Sequence, residues 1–327
     1  MKFPVRIVLA TLATGALIAG TNAGLVQGST ASSSRPGETR AASFVYTLDP
    51  STHGNPEGVT WDPRSRSFFV GATGDGTIYR GKLGDKTVRP LITVDPSLRR
   101  AAVGMTTFRG KLYVAGGATS KIFVYKIRTG DLVGSFDTGS GGFLNDLTVT
   151  PKGDVYVTDS FRPTLWHLSP AQVRAGTGTP GSIDVSPEIT YVTGQFNLNG
   201  IVWFRGGKEL VVVNSFTGKL YRIVFDNGGS GGREISAIDA PLLVGGDGIM
   251  KDRGLLVVVV GDRPTLNFVK LTDGHSKGRI VKVRTDPTLR GPSTVARAKN
   301  RYLVVNADFA TSTKPFTVAS LPVEHHH

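Results

Sequence analysis

Six segments of the chain share one pattern, and their spacing restricts the fold more than any other feature of the sequence. In the segment 145–168, short runs of branched and aromatic residues alternate with turns, which is typical of β-strands. Equivalent segments start at Glu57, Val103, Asn145, Asn199, Asp247 and Ser293, which are 42 to 54 residues apart. A period of this length, with several strands in each copy, predicts an all-β protein that forms a six-bladed β-propeller of four-stranded blades.

The two ends of the repeat region predict how such a ring closes. A lone β-rich segment, 44–48, precedes the first copy, while the last copy contains three predicted strands, 294–298, 302–306 and 316–321. We expect the N-terminal strand to pair with this C-terminal blade and to complete its four strands. Closure of this kind leaves no long unpaired sheet edge exposed.

The first 23 residues have the composition of a secretory signal peptide. Lys2 and Arg6 flank an apolar run, 7–19, which is followed by small residues. This run is shorter than the roughly 20 apolar residues that a transmembrane helix needs. We therefore expect a secreted, extracellular protein that has no membrane span after cleavage.

The remaining chain divides by composition into three parts. Residues 24–42 are rich in Ser, Thr, Gly and Ala and predict a flexible linker, residues 43–322 form the propeller, and residues 323–327 are interpreted as the remnant of a purification tag. The chain has no cysteine, so its stability depends on packing and ring closure rather than on disulfides. It has no GxSxG elbow, because its one match to that pattern, GGSGG at 228–232, is a glycine-rich run that no predicted helix follows. Serine- and cysteine-hydrolase chemistry is therefore disfavoured.

The net charge of +13 could attract anionic partners, but the basic residues are scattered along the chain. Only Arg99 and Arg100 form an adjacent basic pair, and no basic run occurs. Nucleic acid is therefore not an expected partner. We expect a monomer whose basic surface serves solubility.

Alignment of the six segments places four oxygen-bearing side chains at one position, those of Glu57, Asn145, Asn199 and Asp247. In a propeller the innermost strands line a central channel, so the first residues of the six copies converge at one mouth. Carboxylate and amide oxygens without His or Cys suit Ca²⁺, with Mg²⁺ or Mn²⁺ as alternatives. The alternative interpretation is that Glu-Gly, Asn-Asp, Asn-Gly and Asp-Gly are turn formers at the corners of the blades. The match of all four positions favours a single divalent-cation site.

The motifs around these donors resemble those of a known family. The segments are NPEG at 55–58, LND at 144–146, LNG at 198–200 and GDG at 246–248. Their order is similar to that of the metal motifs in the gluconolactonase/regucalcin family of six-bladed propellers, also called the senescence-marker-protein family. The resemblance covers residues 43–322.

This resemblance implies a metal-dependent hydrolase. By resemblance, the four donors hold one cation, usually calcium, which polarises the carbonyl of a lactone, and Asp247 is the catalytic general base. Relatives with similar sites cleave organophosphates, so a phosphotriesterase-like hydrolase is an alternative function. A non-catalytic binding propeller with a structural metal is a third alternative.

The chain departs from the family pattern at Phe143, where sugar lactonases can carry a substrate-binding arginine. The departure favours a hydrophobic or aromatic lactone or ester as the small-molecule substrate. Phe143, Phe196 and His53 are therefore candidate substrate-binding residues, and Phe161 and Phe216 could line the same mouth. Packing between blades is the alternative role for these phenylalanines.

Overall fold

The computed structural model of the protein describes residues 42–93, 101–226 and 233–324. The predicted signal peptide, the predicted linker apart from Ala42, and residues 325–327 lie outside this part of the chain. Within the described residues the chain is all-β, and it contains one short α-helix and two single 3₁₀ turns. This confirms the predicted all-β class.

The strands in chain order are β1 (Phe44–Leu48), β2 (Pro56–Asp62), β3 (Ser67–Ala72), β4 (Ile78–Lys82), β5 (Thr87–Ile92), β6 (Met105–Phe108), β7 (Lys111–Ala115), β8 (Lys121–Lys126), β9 (Leu132–Asp137), β10 (Leu144–Val149), β11 (Val155–Asp159), β12 (Thr164–Leu168), β13 (Gly181–Asp184), β14 (Leu198–Phe204), β15 (Glu209–Asn214), β16 (Leu220–Phe225), β17 (Arg233–Ala237), β18 (Gly246–Asp252), β19 (Leu255–Val260), β20 (Thr265–Thr272), β21 (Lys277–Arg284), β22 (Pro292–Ala298), β23 (Arg301–Asn306) and β24 (Thr317–Pro322). The helix α1 spans Pro170–Ala175, and the 3₁₀ turns span Arg205–Gly207 and Asp273–His275.

Sixteen of these strands form four antiparallel sheets of four strands, each in chain order: β6–β9, β10–β13, β14–β17 and β18–β21. The other eight strands form one sheet in the order β2-β3-β4-β5-β1-β24-β23-β22. Repeated four-stranded meanders of this kind are typical of a β-propeller.

The eight-stranded sheet consists of two groups of four strands that meet at β1. On one side β1 runs antiparallel to β24, with Phe44 opposite Ser320 and Thr47 opposite Thr317. On the other side β1 runs parallel to β5, but only Thr47 and Leu48 take part. The N-terminal strand therefore has its longer pairing with the last strand of the chain.

The second strand of each group is the most apolar, and the structure explains why. Every residue of β15 is buried, as is every residue of β19 except the first. Both faces of these strands are covered by neighbouring sheets, so their side chains need no polar alternation. This confirms that the apolar runs at 210–213 and 255–260 are central strands rather than helices.

The helix α1 forms because its first turn carries a complete cap. The Ser169 hydroxyl accepts the Gln172 amide hydrogen, and the Gln172 side chain accepts the Ser169 amide hydrogen. Gly176 ends the helix in the left-handed conformation at φ +74°. The helix lies in the connection between β12 and β13.

Candidate metal centre

The four predicted donors occupy equivalent places in the structure. Glu57, Asn145, Asn199 and Asp247 are each the second residue of the first strand of a group, in β2, β10, β14 and β18. The first strands contact one another in the sequence β2, β6, β10, β14, β18 and β22, and β22 in turn contacts β2. The donors therefore stand at the same level of one strand assembly.

A β-bulge occurs at the donor position in five of the six first strands. In β2, for example, Pro56 pairs with Ala72 and Val59 pairs with Val70. An advance of three residues along β2 therefore corresponds to an advance of only two residues along β3. The same shift follows Leu144, Leu198, Gly246 and Pro292. A bulge inserts one unpaired residue and re-aims the neighbouring side chains. It gives each donor a direction that regular strand pairing would not provide.

The glycines that follow three of the donors lie inside strands rather than in turns. A Cβ on Gly58 would lie 2.2 Å from the Val103 carbonyl oxygen, and one on Gly200 would lie 2.3 Å from the Asp247 carbonyl oxygen. A Cβ on Gly248 would lie 2.8 Å from the Thr294 Cα. These glycines let adjacent first strands approach closely. Their role is therefore close packing around the donors, and turn formation is not the reason for the dipeptides.

Four buried oxygen atoms at this level have no hydrogen-bond partner among the described residues: Glu57 Oε2, Asn145 Oδ1, Asn199 Oδ1 and Asp247 Oδ1. Only eight buried side-chain polar atoms of the described chain share this property, and the other four belong to Ser65, Glu209, Arg222 and Arg290. Buried polar atoms are normally satisfied, so a group of unpaired acceptors requires an explanation. A cation is the kind of partner that such acceptors lack.

The neighbours of the two amides orient their oxygens. The Asn145 side-chain nitrogen donates to the Ser160 hydroxyl at 2.9 Å, and this hydroxyl donates to the Leu198 carbonyl at 2.7 Å. The Asn199 side chain hydrogen-bonds to Asp247. Because each nitrogen is engaged in this way, each amide presents its oxygen as a free acceptor.

Ionisation of the carboxyl groups at this centre is unfavourable, because they are buried and lie near one another. Burial raises the pKa of Glu57 well above its usual range, and the charges of Asp247 and Asp146 raise it further. Burial and the nearby Asp146 raise the pKa of Asp247 to about 8, although hydrogen bonds from Asn199 and Gly248 oppose this rise. Without a cation, the centre therefore favours protonated carboxyl groups near neutral pH.

Asp146 is a third acidic group of the centre that motif spacing does not identify as a donor. It is 8% exposed, and burial raises its pKa to about 7 against the effect of amide hydrogen bonds from Leu147 and Ile201. It occupies the place that glycine takes in three of the other first strands. A carboxylate where the repeat has glycine is the signal that could have identified it.

Three phenylalanines form a cluster beside the two asparagines. The ring centroids of Phe143, Phe161 and Phe196 lie 5.1 to 5.5 Å apart, and Phe161 and Phe196 are 44% and 47% exposed. Phe143 precedes Asn145 by two residues, and Phe196 precedes Asn199 by three. The phenylalanine cluster therefore offers an exposed apolar surface on the segments that lead into the two asparagine donors.

His53 belongs to a different environment. Its Nδ1 lies 2.5 Å from an Asp75 carboxylate oxygen, and its ring packs against the Tyr79 ring with centroids 5.8 Å apart. Tyr79 is in β4, the third strand of its group, whereas Glu57 is in the first. These contacts hold His53 against the third strand of its group, and its role in substrate binding stays a prediction.

The donor set differs from the metal sites that acidic and histidine clusters form. Within residues 42–93, 101–226 and 233–324, no group of three or more Asp, Glu or His side chains is arranged to hold a metal ion. The set described above has two carboxylates, and its other two oxygens come from amides. Mixed carboxylate and amide oxygens are ligands that Ca²⁺ accepts.

Comparison with solved structures identifies the architecture. The chain is similar to a luciferin-regenerating enzyme, with TM-score 0.62, 14% identity and coverage of 88% of this chain and 100% of the other. It is similar to the periplasmic gluconolactonase PpgL of Pseudomonas aeruginosa (TM-score 0.55, 16% identity, 82% and 85% coverage). It is also similar to regucalcin, a calcium-binding protein of Agrobacterium tumefaciens strain C58 (TM-score 0.58, 15% identity, 83% and 90% coverage).

Sequence comparison alone gives no such likeness. No family model matches the chain, and no curated protein matches it. At 14 to 16% identity, the structural likenesses show the fold. The resemblance to gluconolactonase- and regucalcin-type propellers that the motifs indicate is thereby confirmed at the level of the fold.

Proposed function

We propose that this chain is a hydrolase of the lactonase type that depends on one divalent cation held by Glu57, Asn145, Asn199 and Asp247. The observation that carries the proposal is the set of four unpaired buried oxygens on equivalent first strands. Three of the neighbouring glycines admit no side chain, so the strands that carry the donors are held together closely. The solved structures of similar fold include a gluconolactonase and a calcium-binding regucalcin.

The residues fit a calcium ion by charge and by ligand type. Glu57 and Asp247 supply two negative charges, which balance a divalent cation, and the two amides supply neutral oxygens. All four are hard ligands, and no sulfur or imidazole joins them. Mg²⁺ and Mn²⁺ accept similar ligands but demand a more regular geometry.

Asp247 is the residue proposed as general base. A divalent cation at this centre would stabilise the negative charge that develops on the substrate carbonyl oxygen. Asp247 keeps part of its surface accessible, whereas its Oδ1 is enclosed. Its carboxylate can therefore accept a proton from a water molecule that enters at the mouth. The Asn199 side chain, which hydrogen-bonds to Asp247, holds that carboxylate in place.

The phenylalanine cluster supports a hydrophobic or aromatic lactone or ester as substrate. Exposed aromatic side chains in mutual contact bind apolar ligand surfaces, and Phe143 and Phe196 of this cluster lie two and three residues before Asn145 and Asn199. The three rings themselves carry no charge that would select a sugar acid. Phosphotriester hydrolysis at the same centre is the second candidate, because a cation that stabilises a carbonyl oxygen also stabilises a phosphoryl oxygen.

We also propose that the five sheets constitute six blades of one closed ring. Division of the eight-stranded sheet at the short β1–β5 contact gives two blades of four strands, and the contact of β22 with β2 supports closure. Deletion of Phe44–Leu48 tests this arrangement, because it removes the outermost strand of the last blade. An unchanged melting temperature of the deletion variant would refute it.

Secretion is part of the proposal and rests on residues 1–23. No helix among the described residues is long and apolar enough to span a membrane. Expression of the full-length chain with its native N-terminus, followed by N-terminal sequencing of the exported protein, tests the cleavage expected near residue 23. Retention of the intact N-terminus inside the cell would contradict it.

The test of function is hydrolysis of a panel of aliphatic lactones, aromatic lactones and aryl esters, measured with Ca²⁺ and then with a chelator. The expected result is hydrolysis that the chelator abolishes and Ca²⁺ restores, fastest on the aromatic substrates. Organophosphate triesters in the same panel test the second candidate. Tight binding of one Ca²⁺ without turnover of any substrate would favour a non-catalytic binding propeller.

A further inference from the structure

The first strands enclose a cavity of about 270 Å³ on the side of the glycines away from the four donors. It is lined by later residues of all six first strands, and none of the four donors contributes to its wall. A volume of this size corresponds to about nine water molecules in the liquid. The cavity can therefore admit a small organic molecule independently of the metal centre.

The wall of this cavity combines flat aromatic surface with positive charge. Two of the three tryptophans of the chain, Trp61 and Trp203, line it, together with Met250, Lys251 and Arg297. Threonines from four strands add hydroxyl groups: Thr60, Thr106, Thr148 and Thr294. Most ligand sites have such a composition, in which apolar surface is combined with a few polar groups.

Lys251 is the group in this wall that has no anionic partner. Its ammonium nitrogen lies 3.2 Å from the centroid of the Trp203 ring and 5.1 Å from that of Phe204, and it forms no ion pair with any described residue. Burial lowers the pKa of Lys251 to about 8, and no charge interaction compensates. The ammonium is thus desolvated by aromatic rings and still lacks a counter-ion.

The other charged groups of the wall are already engaged. Arg297 forms an ion pair with Asp252, and the same carboxylate accepts the Tyr302 hydroxyl. Asp146 also lines the cavity; it accepts the Leu147 amide hydrogen at 2.8 Å and has no charge interaction with Lys251. Lys251 therefore leaves one positive charge uncompensated in a cavity with aromatic walls.

We propose that this end of the channel is a binding site for a small aromatic carboxylate, whose anionic group pairs with Lys251 and whose ring packs against Trp61 and Met250. Trp203 acts as a positioning residue, because its ring holds the ammonium through a cation–π contact. The shape of the ligand follows from the wall, since a planar ring matches the tryptophan surface and a carboxylate supplies the missing charge. This site uses none of the four metal donors and shares Asp146 with their surroundings.

The test uses phenylacetate and its neutral isostere phenylacetamide as probes of the full chain. Binding is followed by tryptophan fluorescence, because Trp61 and Trp203 line the cavity while Trp166 is held elsewhere by Asp159. We expect saturable quenching by phenylacetate at millimolar concentration and binding about tenfold or more weaker for phenylacetamide, because a charge-assisted hydrogen bond is lost. Equal affinity for both probes, or no saturable quenching by phenylacetate, would overturn the proposal.

Variants locate the site. Lys251→Met should weaken phenylacetate binding about tenfold or more, whereas Lys251→Arg should retain most of it. Lys270→Met, on an exposed position of β20 in the same sheet, is the matched control and should bind like the wild type. An affinity of Lys251→Met within twofold of the wild type would refute the role of Lys251.

Phenylacetate binding measured with calcium and with chelator distinguishes this proposed binding site from the proposed hydrolase function. Phenylacetate binding should persist in the presence of a chelator, since no donor of the metal centre lines the cavity. The wild-type comparison of the two probes needs no variant, so it decides the proposal even if a Lys251 variant fails to fold. If the wild-type chain binds phenylacetate but hydrolyses no lactone in the presence of Ca²⁺, the proposed hydrolase function is refuted and the proposed binding site is not.

Discussion

The raised pKa of Asp247 predicts that the cation-free protein is more stable at pH 6 than at pH 8. Its pKa is about 8 in the folded chain, against 3.8 for an ordinary aspartate. Between these two values the folded state binds a proton that the unfolded state lacks, so the free energy of unfolding falls as the pH rises. Bound calcium would keep the carboxylate ionised in the folded state and would remove this dependence.

The size of the effect follows from the shift. Between pH 6 and pH 8, titration of a group whose pKa is about 8 in the folded chain lowers the free energy of unfolding by about 2 kcal/mol. Asp247 is only partly buried, so solvent screening makes this an upper figure for that residue. The raised pKa of Glu57 acts in the same direction. For a domain of this size, 2 kcal/mol corresponds to a change in melting temperature of roughly 3 to 4 °C.

The assay is thermal unfolding, followed by circular dichroism, at pH 6 and pH 8, with chelator and with saturating calcium. In chelator the melting temperature should be higher at pH 6; in calcium the pH dependence should shrink, because all other groups titrate alike in both conditions. Asp247→Asn should lose most of the dependence seen in chelator, whereas Glu188→Gln, at an exposed carboxylate, should retain it. A pH dependence that is the same with calcium and with chelator would refute the reasoning.

Three further changes test other parts of the site. Asp247→Asn should reduce hydrolysis to background while the circular dichroism spectrum stays that of the wild type; normal turnover would remove Asp247 from the mechanism. Gly200→Ala should destabilise the protein by about 1–3 kcal/mol in chemical denaturation, since its Cβ would lie 2.3 Å from the Asp247 carbonyl oxygen. Gly181→Ala is the control, as its Cβ would meet no atom closer than 3.7 Å, and equal loss in both would contradict the packing argument. Phe196→Ala should raise KM for aryl esters about tenfold with kcat nearly unchanged, because apolar contact area is lost; a change confined to kcat would indicate a different role.

The strand content could be predicted from the sequence because the repeat and the local composition agree. The alternation of short apolar runs with turns fixes the central strands, such as β15 and β19, whose residues are almost all buried. The outer strands are less apolar, and their bounds depend on partners that are distant in sequence. Phe44–Leu48 shows this, because its longer pairing is with Thr317–Pro322, more than 260 residues away.

The candidate site could be predicted only as a set of residue positions. Equivalent positions in a repeat become equivalent places in space, so Glu57, Asn145, Asn199 and Asp247 could be selected together without any knowledge of distances. The orientation of their oxygens depends on β-bulges and on contacts such as that of Asn145 with Ser160. No local pattern in the sequence reports a bulge, since it is defined by the register of two strands.

The glycines show most clearly what the sequence leaves ambiguous. Asn-Gly and Asp-Gly are strong turn signals in isolation, and their chemistry alone does not separate a turn from a strand. In this fold Gly200 and Gly248 lie within strands, where a side chain would collide with the next first strand. Asp146 occupies the equivalent place in β10, and its carboxylate accepts the backbone amide hydrogens of Leu147 and Ile201. The residue after each donor therefore controls how closely the strands approach, and this spacing determines whether four separate oxygens can share one cation.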